Sequence, residues 1–156
     1  MSGLFAEEDE NTHYFSRSDP DDLLGTHAPL SFFLDDKQWP TVEHYYQANK
    51  FDNDDTQNKI RLAPTAQKAR KLGRTRFSKR RSNWREIKTT VMTRAVYIRA
   101  KTHSQCQQAL AELSDKRLVE NSNYDYFWGC GRDRRGKNNY GELLMKIRDK
   151  LRQEQC

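Results

Sequence analysis

The stretch Asn83-Trp-Arg-Glu-Ile-Lys-Thr-Thr-Val-Met-Thr-Arg-Ala-Val-Tyr-Ile-Arg-Ala-Lys-Thr102 decides how the chain folds. Ile87, Val91, Ala95 and Ile98 recur at spacings of four, four and three, the period of one helical face. Asn83 and Glu86 form a capping-box-like pair at the start. The spacing therefore predicts a long helix from Asn83 to about Thr102.

C-terminal to that helix, Ser104 with Gln107 opens a short helix through Leu113, and Lys116 to Glu120 reads as a short strand or extended segment. Asn121 to Gly136 is an aromatic, Gly-rich loop. A final helix turns Tyr140, Leu143, Leu144, Ile147 and Leu151 inward. On the N-terminal side, Pro40-Thr41 opens a helix over Val42 to Phe51 with Thr41 as N-cap. A second helix is expected from Asp55 to about Leu62. A third runs from Thr65 to Leu72, with Pro64 ahead of the cap and Gly73 as the stop. The first 40 residues are irregular, with short strands at His13 to Ser16 and Leu30 to Leu34 and turn residues at Asp19 to Asp22 and Gly25. The expected fold is mainly α (α+β), one domain over residues 1–156 with an irregular N-terminal segment 1–28.

Composition narrows the class. Hydrophobic residues make up 35% and charged ones 32%, so the core is modest, yet three Trp, seven Tyr and seven Phe are more than a disordered chain carries. Lys and Arg exceed Asp and Glu by 28 to 22, for a net charge of +6, which favours an anionic partner. The basic residues gather between Lys59 and Arg94, and such a run is either a solvated face or an anion-binding one. The cysteines, Cys106, Cys130 and Cys156, are odd in number and widely spaced, which gives neither a disulfide framework nor a zinc site. The acidic start, Met1 to Glu10, lacks the basic and apolar regions of a signal peptide, and no run of about 18 apolar residues occurs. The protein is expected in the cytoplasm, without a membrane segment.

The helix that opens at Thr41 places Glu43, Tyr46 or Gln47, and Lys50 at helical spacing, so one face carries a carboxylate and an amine. The plainer alternative is a solvated polar stripe, but Trp39, His44, Tyr45 and Phe51 flank it. Glu43 in the first turn feels the positive helix end, which favours an ionised carboxylate suited to a base or a cation stabiliser. Asp125 sits among the aromatics of Asn121 to Gly131. If desolvated, its pKa should rise and it would act as an acid; otherwise it binds a ribose hydroxyl or shapes a turn. Trp84 and Trp128 are core residues or platforms for a flat heterocycle. Gly136-Lys-Asn-Asn-Tyr-Gly141 leads into the last helix as an anion-holding N-terminus or as a turn and cap. The histidines His13, His27, His44 and His103 have no ligand spacing, so no metal and no cofactor is expected.

Three stretches together resemble the NADAR (YbiA-like) family. They are Trp39-Pro-Thr-Val-Glu-His-Tyr-Tyr-Gln-Ala-Asn-Lys-Phe51; Ala69-Arg-Lys-Leu-Gly-Arg74 with Trp84 and Val91-Met92 behind it; and Tyr124-Asp-Tyr-Phe-Trp-Gly-Cys-Gly131 with Gly136-Lys-Asn138 and Gly141-Glu-Leu-Leu-Met145. The resemblance covers roughly Phe32 to Leu151. It implies a compact, mainly helical fold and hydrolysis of N-glycosidic bonds, either in phosphorylated ribosylamino-pyrimidine intermediates of riboflavin synthesis or in ADP-ribosylated guanine bases, including those in nucleic acid. It puts functional positions on Glu43, Lys50, Trp84, Asp125 and Trp128, with Asn138 as a lesser one, and Arg74 is the expected phosphate ligand. The chain departs from the family pattern at Asp22-Leu-Leu-Gly-Thr-His-Ala-Pro29, which replaces a Phe-Ser-Asn-Phe-like segment and bears on substrate choice. Two rival readings are a module that binds NAD or ADP-ribose without cleaving it and a basic nucleic-acid-binding domain.

Overall fold

The computed structural model describes residues 10–155; the acids before Glu10, and Cys156, lie outside the described residues. The long helix is present as α4 (Trp84–Thr102), and around it stand α1 (Val42–Ala48), α2 (Asp54–Arg61), α3 (Ala66–Leu72), α5 (Ser104–Glu112) and α6 (Asn139–Glu154). The strands are β1 (Thr12–Phe15), β2 (Phe32–Leu34), β3 (Lys37–Trp39) and β4 (Arg117–Glu120). The fold is thus helical with a few short strands around one core. Val91, Met92, Ala95 and Val96 of α4 meet Tyr140, Leu143, Leu144 and Ile147 of α6 and Val42, Tyr45 and Ala48 of α1 in that core. Ile87 and Ile98, expected inside, are only partly buried at its edge.

Several local expectations hold at the level of single hydrogen bonds. Thr41 accepts from the His44 amide and Thr65 from the Lys68 amide, each a side-chain N-cap. The Asn83 and Glu86 capping box does not form: Asn83 makes no side-chain cap bond, and its carbonyl accepts the Glu86 and Ile87 amides instead. The helix expected to reach Phe51 ends at Ala48. The Lys50 and Phe51 amides bond three residues back, and a bridge between Phe51 and Arg80, with the Arg81 amide on the Lys50 carbonyl, draws the chain out of the helix.

β2 and β3 form a hairpin that the sequence reading saw only in part. Its turn is made by Asp35 and Asp36, both at positive φ, a conformation Asp tolerates. β1 pairs in parallel with β4, Thr12 with Arg117 through Phe15 with Glu120, so the N-terminal segment is built into the body of the fold. Tyr140 Oη donates to the Leu24 carbonyl at 2.5 Å and Arg99 Nη1 donates to the Gly25 carbonyl, which anchors the turns that follow. Among the described residues, no helix is long and apolar enough to cross a membrane.

Candidate active site

A cleft of about 670 Å³ opens between α1, the N-terminal turns and the loop after β4. Glu43, Tyr46, Gln47 and Lys50 line one wall, as helical spacing predicted, although Lys50 sits in the turn beyond the helix. Five cationic side chains (Arg17, Lys50, Arg70, Arg74, Lys88) and two anionic ones (Glu43, Asp125) face it. Both carboxylates are engaged by protein partners, so the field in the cleft favours an anionic ligand.

Glu43 is 2% exposed. Its Oε1 accepts from Gln47 Nε2 at 2.7 Å and Arg70 Nε at 3.0 Å, and its Oε2 from Thr26 Oγ1 at 2.6 Å and Arg70 Nη2 at 3.4 Å. Burial alone would push its pKa up, but the Arg70 guanidinium and these hydrogen bonds outweigh it and hold the value at about 2. The ionised carboxylate expected from the helix end is therefore secured chiefly by Arg70. His27 Nε2 lies 3.7 Å from Oε2, beyond hydrogen-bond range. Burial depresses the His27 pKa, so at neutral pH this contact is not an ion pair. Thr26 and His27 both belong to the segment that departs from the family pattern.

Lys50 is 9% exposed. Its Nζ stands 5.6 Å from the centre of the Tyr46 ring. Burial first, then the positive charges of Arg80, Arg74 and Arg70, bring its pKa down to about 8 against the opposing pull of Glu43. A useful fraction of the amine is therefore neutral near physiological pH.

Asp125 differs from expectation. Burial pushes its pKa up, but the Trp128 amide at 2.7 Å, the Arg17 guanidinium at 3.0 Å and the Phe127 amide at 3.0 Å outweigh that, so the net shift is downward. These donors favour the ionised form over a proton-donating acid, and the bonds to the Phe127 and Trp128 amides two and three residues on make Asp125 the turn residue of this loop, with Oδ2 on Arg17 at the edge of the cleft.

The two indoles separate. Trp128 lines the cleft and donates from Nε1 to Tyr46 Oη at 3.2 Å. Trp84 lies behind, 7% exposed, against the other side of Tyr46. Because the Tyr46 ring sits 5.1 Å from Trp84 and 5.7 Å from Trp128, it occupies the gap in which a heterocycle between the indoles would lie. Phe127, edge-on to Trp128 and capped by Lys88 Nζ at 3.6 Å, and Tyr124 are further aromatic surfaces of the cleft.

Arg74 is exposed at the rim. Asn138 does not reach the cleft. It is a left-handed residue whose side chain accepts from the Glu120 amide and donates to the Leu118 carbonyl, supplying β4 with pairing groups. The amides of Lys137 to Tyr140 are taken by carbonyls of Tyr126, Gly129, Phe127 and Trp128, so the start of α6 holds that loop rather than an anion. His44 is packed as expected, between Thr41 Oγ1 and the Ala63 carbonyl.

Sequence reasoning missed Arg17, Thr26 and Arg70 as members of the site. Arg17 and Thr26 lie in the turn-rich N-terminal segment, where no periodicity marks a face. Arg70 lay inside the quoted Ala69 to Arg74 stretch, and only contact with Glu43, 27 residues away, sets it apart from its basic neighbours.

Comparison with known proteins places the family and the fold. The NADAR domain model matches residues 4–152. An N-glycosidase of Nostoc punctiforme is 36% identical over 143 residues, covering 90% of this chain and 92% of that protein. The N-glycosidase YbiA of Escherichia coli is 33% identical over 144 residues, covering 92% and 90%. Its NMR structure superposes with a TM-score of 0.83 at 34% identity, over 94% of this chain and 89% of that one. A riboflavin biosynthesis protein of Vibrio vulnificus, VVA0006, is 35% identical over 96% of this chain and 38% of its own length. Matched by the family model over nearly all its length and sharing its fold with a solved relative, the chain belongs to the NADAR family.

Proposed function

We propose that this protein is an N-glycosidase that hydrolyses the ribose–nitrogen bond of phosphorylated ribosylamino-pyrimidine intermediates of the riboflavin pathway. The observation that carries the reading is the pairing, on one wall of a cationic cleft, of a carboxylate fixed in its ionised form with an amine of depressed pKa. The relatives named as N-glycosidases and as a riboflavin biosynthesis protein support the reaction and the pathway.

Bond cleavage develops positive charge at the anomeric carbon. With both oxygens of Glu43 already accepting donors, its part is to stabilise that charge rather than to take a proton. In this reading Lys50 attacks the anomeric carbon of the ring-opened sugar, supported by its lowered pKa and its place on the cleft wall. The C–N bond to the pyrimidine then breaks, the departing amine leaves with a proton, and water hydrolyses the Schiff base to return the lysine and free ribose phosphate. In this reading Arg74 takes the phosphate, Asp125 with Arg17 a ribose hydroxyl, and Trp128 the heterocycle. Trp84 supports the site from behind.

A second substrate, ADP-ribosylated guanine, is favoured by one feature. A shallow depression of about 610 Å³ lined by Lys68 and Lys71 shares Arg70 and Arg74 with the cleft and offers room for a second phosphate. A chromatographic screen of both substrate types for released base decides between them. Binding of ADP-ribose without turnover would favour the non-catalytic module. Binding that tracks ionic strength, with no small nucleotide preferred, would favour the nucleic-acid domain. Borohydride added during turnover should fix the sugar phosphate to Lys50, located by mass spectrometry; turnover without an adduct makes direct water attack the mechanism.

A further inference from the structure

A second cavity, of about 570 Å³, adjoins the cleft, and Arg70 and Ser18 border both. All four prolines of the chain, Pro20, Pro29, Pro40 and Pro64, line it, so its wall is built from backbone of restricted φ. The Arg70 guanidinium stands as the partition. Its Nη1 donates to Ser18 Oγ at 2.8 Å, while Nε and Nη2 reach the two oxygens of Glu43 at 3.0 and 3.4 Å.

Among the described residues Arg70 alone donates to both oxygens; Gln47 holds one and Thr26 the other. Arg17 and Lys50 also act on Glu43 electrostatically, and His27, His44 and Tyr46, uncharged at neutral pH, would do so only when ionised; none of the five has a hydrogen bond to it. A planar fork that engages both oxygens fixes the plane of the carboxylate as well as its charge, which a point charge does not.

We propose that Arg70 is the positioning residue of this site: held by Ser18 and standing between the two cavities, it sets the orientation in which the Glu43 carboxylate faces the sugar. The inference rests on the N-glycosidase reading for its catalytic consequence, and on geometry alone for its effect on Glu43. Arg70 acts through Glu43 and need not touch substrate.

The test uses Arg70→Gln, Arg70→Lys and the Glu43→Gln/Arg70→Gln double variant of the full chain. In Arg70→Gln, kcat should fall by at least about tenfold, the scale of a misplaced catalytic group. The Glu43 side-chain carboxyl, followed by carbon NMR without substrate, should titrate at least about one unit higher, because burial then has less charge to oppose it. Arg70→Lys keeps the charge without the fork, so it should leave the Glu43 titration nearly in place and still lose kcat severalfold. In the Glu43→Gln background, Arg70→Gln should cost nothing more. An unmoved Glu43 titration in folded Arg70→Gln, full kcat in Arg70→Lys, or an equal loss in the Glu43→Gln background would each overturn the proposal. If Arg70→Gln does not fold, the Arg70→Lys comparison decides. If the wild-type chain turns nothing over, the N-glycosidase reading fails, and the titration still decides whether Arg70 controls Glu43.

Discussion

At the scale of single residues, burial opposes the shift of one group at the centre of the cleft and drives that of the other. Glu43 is held at about 2 because Arg70 and the other donors outweigh its burial, and Lys50 is brought to about 8 first by burial and then by the cations around it. If Lys50 is the nucleophile, kcat at saturating substrate should rise with pH through about 8 as the amine loses its proton. Lys50→Arg, which keeps charge but offers no free amine, should abolish both turnover and borohydride trapping. An active, untrapped Lys50→Arg protein would make the lysine an electrostatic group. Glu43→Gln should cost at least about a hundredfold in turnover, the scale of deleting one charge-stabilising group. Near-normal turnover in the folded variant would remove Glu43 from the chemistry. Glu43 and Lys50 were legible in sequence because both follow from the pitch of one short segment. Arg17 and Arg70 were not, since each is defined by a partner far along the chain.

At the scale of elements, Tyr46 joins α1, α4 and the loop after β4 by lying between two indoles. This divides the expected effects of two similar substitutions. Trp128→Ala should weaken substrate binding by about 1–3 kcal/mol, the range for base stacking on an aromatic ring. Trp84→Ala should chiefly destabilise, by about 3–5 kcal/mol, as removal of a buried indole does. Titration of substrate and thermal melts of each variant separate the two, and an affinity loss confined to Trp84→Ala would reverse the assignment. Gly73 makes a finer test. It ends α3 with ordinary helical φ of −66°, so a left-handed cap does not account for it. A Cβ there would come within 2.0 Å of Gln47 Oε1. Gly73→Ala should push aside the amide that donates to Glu43 and lower kcat severalfold more than it lowers the melting temperature would suggest; unaltered kinetics would show that Gln47 relaxes freely. The helices and the Thr41 and Thr65 caps were legible because periodicity and capping are local, whereas the Asn83 cap was not, since its carbonyl rather than its side chain takes the first amides. The end of α1 was not, because Arg80 and Arg81 draw the chain away from it.

At the scale of the whole molecule, the depressed Glu43 pKa ties stability to pH. The folded value, about 2, lies below the ordinary 4.5, so the stabilisation is fully present above about 4.5 and is lost as pH falls toward 2. Melting temperature should therefore decline across that window, and the decline should be shallower in Glu43→Gln; identical acid slopes would show that other carboxylates dominate. Periodicity along the chain made a mainly helical fold legible, but the parallel pairing of β1 with β4 was hidden, because nothing local links strands about a hundred residues apart. That pairing carries a consequence for biosynthesis. Arg17 takes its place only when its backbone amide meets Glu120 and its guanidinium meets Asp125. A chain emerging from the ribosome can form α1 and α4 early, yet β1 must wait for a mate made about a hundred residues later. The side of the cleft that Arg17 and Asp125 line is therefore completed only after α1 and α4, and a nascent or truncated chain that lacks β4 should be catalytically silent however much of its helical core has formed.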